Sequence, residues 1–190
     1  TTLDGAVLIG SEMVTADETV EMDEFPESFN SFKNFVKTNP IKNIAFGNVH
    51  EYIHTQQKTT IGDNLLAQSV LEGVAEFLAV KATNLPSTAP AINFGKQNFE
   101  QVRSKFAMQM FNSFTGFWLY NDDDNEFKTR DLGYYVGYEI CERFYNQAAD
   151  KNLAVKQMIE LDYNNETELL KFVDRSGYFE KSPKYLKKAF

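Results

Sequence analysis

The chain has 190 residues, a formal net charge of −8, and 43% hydrophobic and 14% aromatic residues. That length suits one domain spanning 1–190 with a real core, and this composition excludes a disordered tail. The acidic balance argues against nucleic-acid or anionic-membrane partners, and a single cysteine, Cys141, excludes both an internal disulfide and a multi-cysteine metal site.

From the N-terminus, "GAVLIGSEMV" (Gly5 to Val14) reads as a short strand bounded by Gly and polar residues. An acidic loop follows. From Pro26 the pattern turns helical, with Phe29, Phe32, Phe35 and Val36 at helical spacing. Pro40 punctuates, and the next helix is expected from Ile41 to Gln57. Asp63 is a good N-cap for a helix from Asn64 to Thr83 that is apolar on almost every side. Pro86 and Pro90 mark a loop, and a helix from Lys96 to Phe114 is expected after it. Phe111, Phe114, Phe117 and Trp118 read as core rather than as a ligand box. Asp122, Asp123 and Asp124 lack the spacing and Gly of an EF-hand and read as a solvated loop. "LGYYVGYEICERFYNQAA" is a further helix, two shorter ones follow, and the basic end "KSPKYLKKAF" reads as solvated. No stretch approaches the ~18 apolar residues of a transmembrane helix. The chain opens on Thr1 without a signal-peptide pattern, which leaves room for a removed upstream segment. The expected class is helix-dominated α+β with a small N-terminal sheet.

Both histidines of the chain fall inside five residues, His50-Glu51-Tyr52-Ile53-His54. On a helix, positions i and i+4 lie one turn apart on one face. Two imidazoles so placed can grip one Zn²⁺, and Glu51, slightly around the helix, can reach a water on that ion as general base. Chance puts two histidines and a glutamate in this pattern in roughly one such chain in a thousand. The bland alternative is a helix with two ordinary histidines.

A catalytic zinc takes three protein ligands and keeps one open position. With histidine used up and cysteine nearly excluded, the third ligand must be Asp or Glu. The apolar helix offers two acids, Glu72 and Glu76, in "LEGVAEFLAV". A carboxylate buried there without a partner would cost several kcal/mol or take up a proton. A metal ion and its histidines would supply the missing charge. Glu76, one turn beyond Glu72, could accept the ring N–H of a ligating histidine from the second layer around the ion. Gln57 falls on the same side as the histidines. Gly73 and Gly47 are small enough for close approach of two helices and a metal. Against this stands the reading of Glu72 and Glu76 as surface acids.

HExxH followed by "EGVAEF" resembles the gluzincin class of zinc metallopeptidases, whose third ligand is a glutamate on the helix after the HExxH helix. The resemblance implies His50, His54 and Glu72 as ligands of one Zn²⁺ per chain, Glu51 as catalytic base, and a zincin-like fold with an active-site helix and a glutamate helix. "LDGAVLIGSE", "HEYIHTQQ" and "YYVGYEI" together resemble predicted zinc-dependent proteases related to gliding-motility lipoprotein B of Bacteroidota. That likeness implies an extracytoplasmic setting in a bacterium, periplasmic, surface-anchored or secreted, and a peptide or protein substrate.

Peptide hydrolysis needs a donor for the tetrahedral oxyanion. No late histidine is left for it. Tyr135 is the first candidate, with Tyr134 and Tyr138 behind it and Arg130 as a further option; Gly133 and Gly137 among them point to close helix approach. The resulting expectation is a zinc-dependent peptide hydrolase. The alternative is a catalytically idle zinc-binding module of a cell-envelope or gliding-related assembly.

Overall fold

The chain begins with a hairpin rather than one long strand. Strands β1 (Thr2–Leu3) and β2 (Ala6–Val7) pair antiparallel, Thr2 opposite Val7 and Leu3 opposite Ala6. Asp4 and Gly5 between them both take positive φ, 48° and 76°. Asp-Gly is the dipeptide that tolerates this tight turn, whose twist matches the strands it joins. The strand expected over Gly5–Val14 is therefore corrected: it ends at Val7, and Ser11–Val14 forms the short helix α1. The computed structural model describes residues 2–17, 19–27, 30–37, 40–58, 62–121 and 125–179. Phe29, the triplet Asp122, Asp123 and Asp124, and the basic C-terminal end lie outside them, as do the side chains of Phe32 and Phe35.

Helix α2 (Asn30–Lys37) leads through a 3-10 turn at Pro40–Asn43 into α3 (Ile44–Gln56). Helix α4 (Leu65–Thr83) is the axis of the molecule, its residues from Leu65 to Ala79 buried except for Gln68. Its N-cap is Asn64 and not Asp63: the Asn64 side chain accepts from the Ala67 N–H at 3.0 Å.

Pro90 opens α5 (Pro90–Gln97) from the first turn, where its missing N–H is harmless. Helix α6 runs Phe99–Gln109. The loop expected around Pro86 and Pro90 is thus corrected to a helix from Pro90 on, and the helix expected over Lys96–Phe114 is α6, which starts three residues later and stops early. Its stop has a cause: the Met110 and Asn112 carbonyls turn to accept from Leu66 N–H at 2.8 Å and Leu65 N–H at 2.9 Å. These are among the first N–H groups of α4, which have no partner inside that helix. After the break only one side of the chain faces the core. Trp118 and Leu119 are buried, whereas Phe111, Phe114 and Phe117 are exposed, against expectation, the last two rings meeting edge-on at 5.2 Å.

Helices α7 (Leu132–Gln147), α8 (Lys151–Ile159) and α9 (Glu166–Ser176) complete a helix-dominated α+β architecture with one small sheet. Helix α4 packs between α7 and α3. The α4–α7 crossing is backbone on backbone. A Cβ on Gly73 would stand 2.0 Å from the Gly137 carbonyl carbon, and one on Gly137 would stand 1.8 Å from the Ser69 carbonyl oxygen. Gly133 meets Leu119 and Ser69 in the same seam. Gly47 does not share this role, because a Cβ there would meet nothing within 4 Å. Among the described residues, no helix is long and apolar enough to cross a membrane.

Candidate metal centre

Helix α3 carries His50 and His54 on the face turned to α4, and α4 answers with Glu72 and Glu76. The two Nε2 atoms lie 3.1 Å apart. Glu72 Oε2 stands 3.4 Å from His50 Nε2 and 3.3 Å from His54 Nε2. Three electron-rich atoms from two helices therefore converge on one point, in a buried group that could bind a metal ion.

The outer nitrogens explain why the inner ones are free to ligate. His50 Nδ1 lies 2.9 Å from Glu76 Oε2. A carboxylate only accepts, so the proton of a neutral His50 sits on Nδ1 and leaves Nε2 a bare lone pair. Glu76 is itself held by the Ser87 hydroxyl, which donates to Oε1, while Ser87 Oγ accepts from Ala89 N–H at 3.0 Å. His54 Nδ1 lies 2.6 Å from Gln57 Oε1. The amide of Gln57 cannot be turned round: its nitrogen donates to the Leu71 carbonyl at 3.0 Å and to the Tyr163 hydroxyl at 2.9 Å. The Tyr163 hydroxyl in turn donates to the Met158 carbonyl at 2.8 Å, so it has to accept from Gln57. This chain of bonds assigns the Nδ1–H form to His54 as well.

Two lone pairs and a carboxylate oxygen facing one another call for positive charge between them. With no ion bound, protonation of His50 would supply it. Burial alone would push the His50 imidazole down, but hydrogen bonds to Glu72 and Glu76 and their charges outweigh it and hold the group up at about 9. Burial likewise works against the Glu72 carboxylate, yet the His50 imidazolium, the neighbouring His54 and the bond from the Tyr120 hydroxyl hold it well below the usual carboxylate range. No protein-family model, curated protein or solved structure matches the chain.

The aromatic wall is not where periodicity put it. Tyr134 is the member of the tyrosine cluster that reaches the centre. Its ring stacks over His50 with centroids 6.1 Å apart, and burial and the Glu72 charge raise its hydroxyl far above the ordinary value. Tyr135, the expected oxyanion donor, is instead buried against the backbone of Gly95, where a Cβ would stand 2.0 Å from its ring. Glu139, Glu142 and Arg143 are the charges that act on it. One residue is 100° of helix rotation, so Tyr134 and Tyr135 cannot face the same way. Tyr138 is also turned aside: its hydroxyl donates to Glu142 Oε1 at 3.1 Å and its ring packs edge-on against Phe77. Arg130 pairs with Asp131 at 2.7 Å.

Glu51 is half-buried, and its charge acts on the Tyr120 hydroxyl. Tyr120 itself escaped the sequence reading. Its hydroxyl donates to Glu72 Oε1 at 2.6 Å across 48 residues of chain. Nothing local marks such a contact, and Tyr120 sits at the end of an aromatic run in which it looks like one more core residue.

Proposed function

We propose that the chain is a zinc-dependent peptide hydrolase of gluzincin type with a zincin-like fold, and that it works in the extracytoplasmic setting implied by its likeness to the gliding-motility-related proteases. The observation that carries the reading is the spacing of the three donors. Bonds of about 2.0–2.1 Å at tetrahedral angles separate ligand atoms by about 3.3 Å. The separations of 3.1, 3.3 and 3.4 Å match that figure. Two imidazoles and one carboxylate also form a three-ligand set of the kind that leaves catalytic zinc one position for water or substrate.

When bound, the ion would supply Lewis acidity toward a scissile carbonyl and lower the pKa of water. The chain's own residues do the rest. His50, His54 and Glu72 orient the centre, and Glu76 and Gln57 fix the imidazole tautomers. Glu51, on the turn that carries both histidines, takes the proton of the attacking water and delivers it to the leaving amine. Tyr134, stacked on His50 beside Glu72, is the hydroxyl best placed among the expected donors to steady an oxyanion.

The test has two stages. Elemental analysis should give near one zinc per wild-type chain and a clear loss in Glu72→Ala. A peptide library should then be cut by wild type, with Glu51→Gln retaining zinc and losing roughly 10²–10⁴ in rate. Wild-type chain that takes up no zinc on reconstitution would overturn the reading. Zinc without hydrolysis, unaltered by Glu51→Gln, would favour the idle zinc-binding module instead.

A further inference from the structure

The two oxygens of Glu72 are used differently. Oε2 faces both imidazoles at 3.4 and 3.3 Å, while Oε1 accepts from the Tyr120 hydroxyl at 2.6 Å. We propose that Tyr120 is a positioning residue that restricts Glu72 to one-oxygen ligation, so that the fourth position on the ion stays open. This rests on the metal reading above and adds to it a residue outside the HExxH and "EGVAEF" segments.

Three further observations carry it. Tyr120 is 64% exposed, so packing is a poor reason for its placement and the hydroxyl contact is the better one. Its backbone is in the left-handed region, φ 56°, which a bulky residue occupies only when its surroundings hold it there. Those surroundings are present. Asn121 and Asp131 exchange hydrogen bonds, Asp131 N–H to Asn121 Oδ1 at 2.7 Å and Asn121 N–H to Asp131 Oδ1 at 3.3 Å. The Gly133 N–H donates to the Trp118 carbonyl at 2.8 Å. These bonds pin the chain on both sides of Tyr120, and the Tyr134 ring stands edge-on to it with centroids 6.4 Å apart.

The consequence concerns coordination number. A carboxylate that lost this bond could turn both oxygens to the ion and fill the position that substrate needs. The experiment compares wild type and Tyr120→Phe loaded with Co²⁺, whose visible absorption is several-fold stronger in four-coordinate than in five- or six-coordinate sites. Circular dichroism checks that both chains are folded, which the exposure of Tyr120 favours. The expected result is one Co²⁺ per chain in both, with the visible absorption of Tyr120→Phe clearly reduced and its Co²⁺ affinity lowered about tenfold or more. A folded Tyr120→Phe chain with the wild-type spectrum and affinity would overturn the role of Tyr120 and leave the metal site standing. Wild type that binds no Co²⁺ would overturn both.

Discussion

His50 is caught between two carboxylates and a neighbouring imidazole, and its protonation therefore reports on the centre. In the metal-free chain its folded pKa is up at about 9, against an ordinary 6.5. A group raised on folding stabilises the fold fully below its unfolded value, and that contribution is lost as pH rises through the folded one. Metal-free protein should therefore become less stable between about pH 6.5 and 9, by an amount on the order of 3 kcal/mol at most. Urea midpoints in chelator at pH 6.5, 7.5 and 8.5 would show it, and a flat series would refute it. Glu72 acts in the other window. Its lowered pKa gives stability present above the ordinary carboxylate value and lost in acid. Most of this arrangement was legible in the residues themselves. HExxH spacing and two acids on an apolar helix point to one cluster, because both depend on helical periodicity alone. Tyr120 was not legible, because a left-handed residue at the end of an irregular turn has no periodicity to read. Tyr135 was misjudged for a related reason: spacing shows which tyrosines share a face, but only the partner helix decides which face meets the His50–His54–Glu72 cluster.

At the scale of elements, α3 and α4 hold the residues that could bind a metal, and α7 braces α4 from behind through glycine contact. The same substitution should then have opposite effects at two glycines. Gly73→Ala puts a methyl 2.0 Å from the Gly137 carbonyl carbon, so α4 and α7 must separate. Overpacking of this kind costs typically 1–3 kcal/mol, and backbone cannot yield as a side chain does. The shift falls one residue from Glu72, so metal affinity should drop with stability. Gly47→Ala on α3 meets nothing within 4 Å and gains helix propensity of up to about 1 kcal/mol. Denaturant unfolding of the two variants should move in opposite directions; equal destabilisation would mean that the crossing is looser than its distances say. The all-round apolar pattern of α4 made this helix easy to foresee. Helix α5 was harder, since Pro86 and Pro90 together read as a loop although Pro90 only opens the helix, and the early end of α6 depends on carbonyls drawn away by the N-terminus of α4. Asp4-Gly5 was readable as a turn, but the apolar run behind it outweighed that signal.

Across the whole molecule, the centre joins parts of the chain that share little else. His54 bonds Gln57, Gln57 bonds both Leu71 of α4 and Tyr163, and Tyr163 closes onto the Met158 carbonyl at the end of α8. On the other side Glu76 holds Ser87 in the segment leading to α5. A metal that fixes His50, His54 and Glu72 therefore tightens contacts well beyond its own ligands. Binding to the folded state alone stabilises by about 4 kcal/mol when free metal is at a thousand times its dissociation constant. For a chain of 190 residues each kcal/mol moves the melting temperature by about 2–4 °C. Chelator should accordingly lower the melting temperature of zinc-loaded protein by roughly 10 °C. His54→Ala, which removes a ligand, should melt at one temperature with and without chelator. Tyr163→Phe deletes only the hydroxyl that fixes the Gln57 amide, so it should keep a chelator-sensitive melt but with a smaller shift. If Tyr163→Phe behaves as wild type, the tautomer of His54 is fixed by Leu71 and Gln57 alone, and α8 has no part in holding the metal.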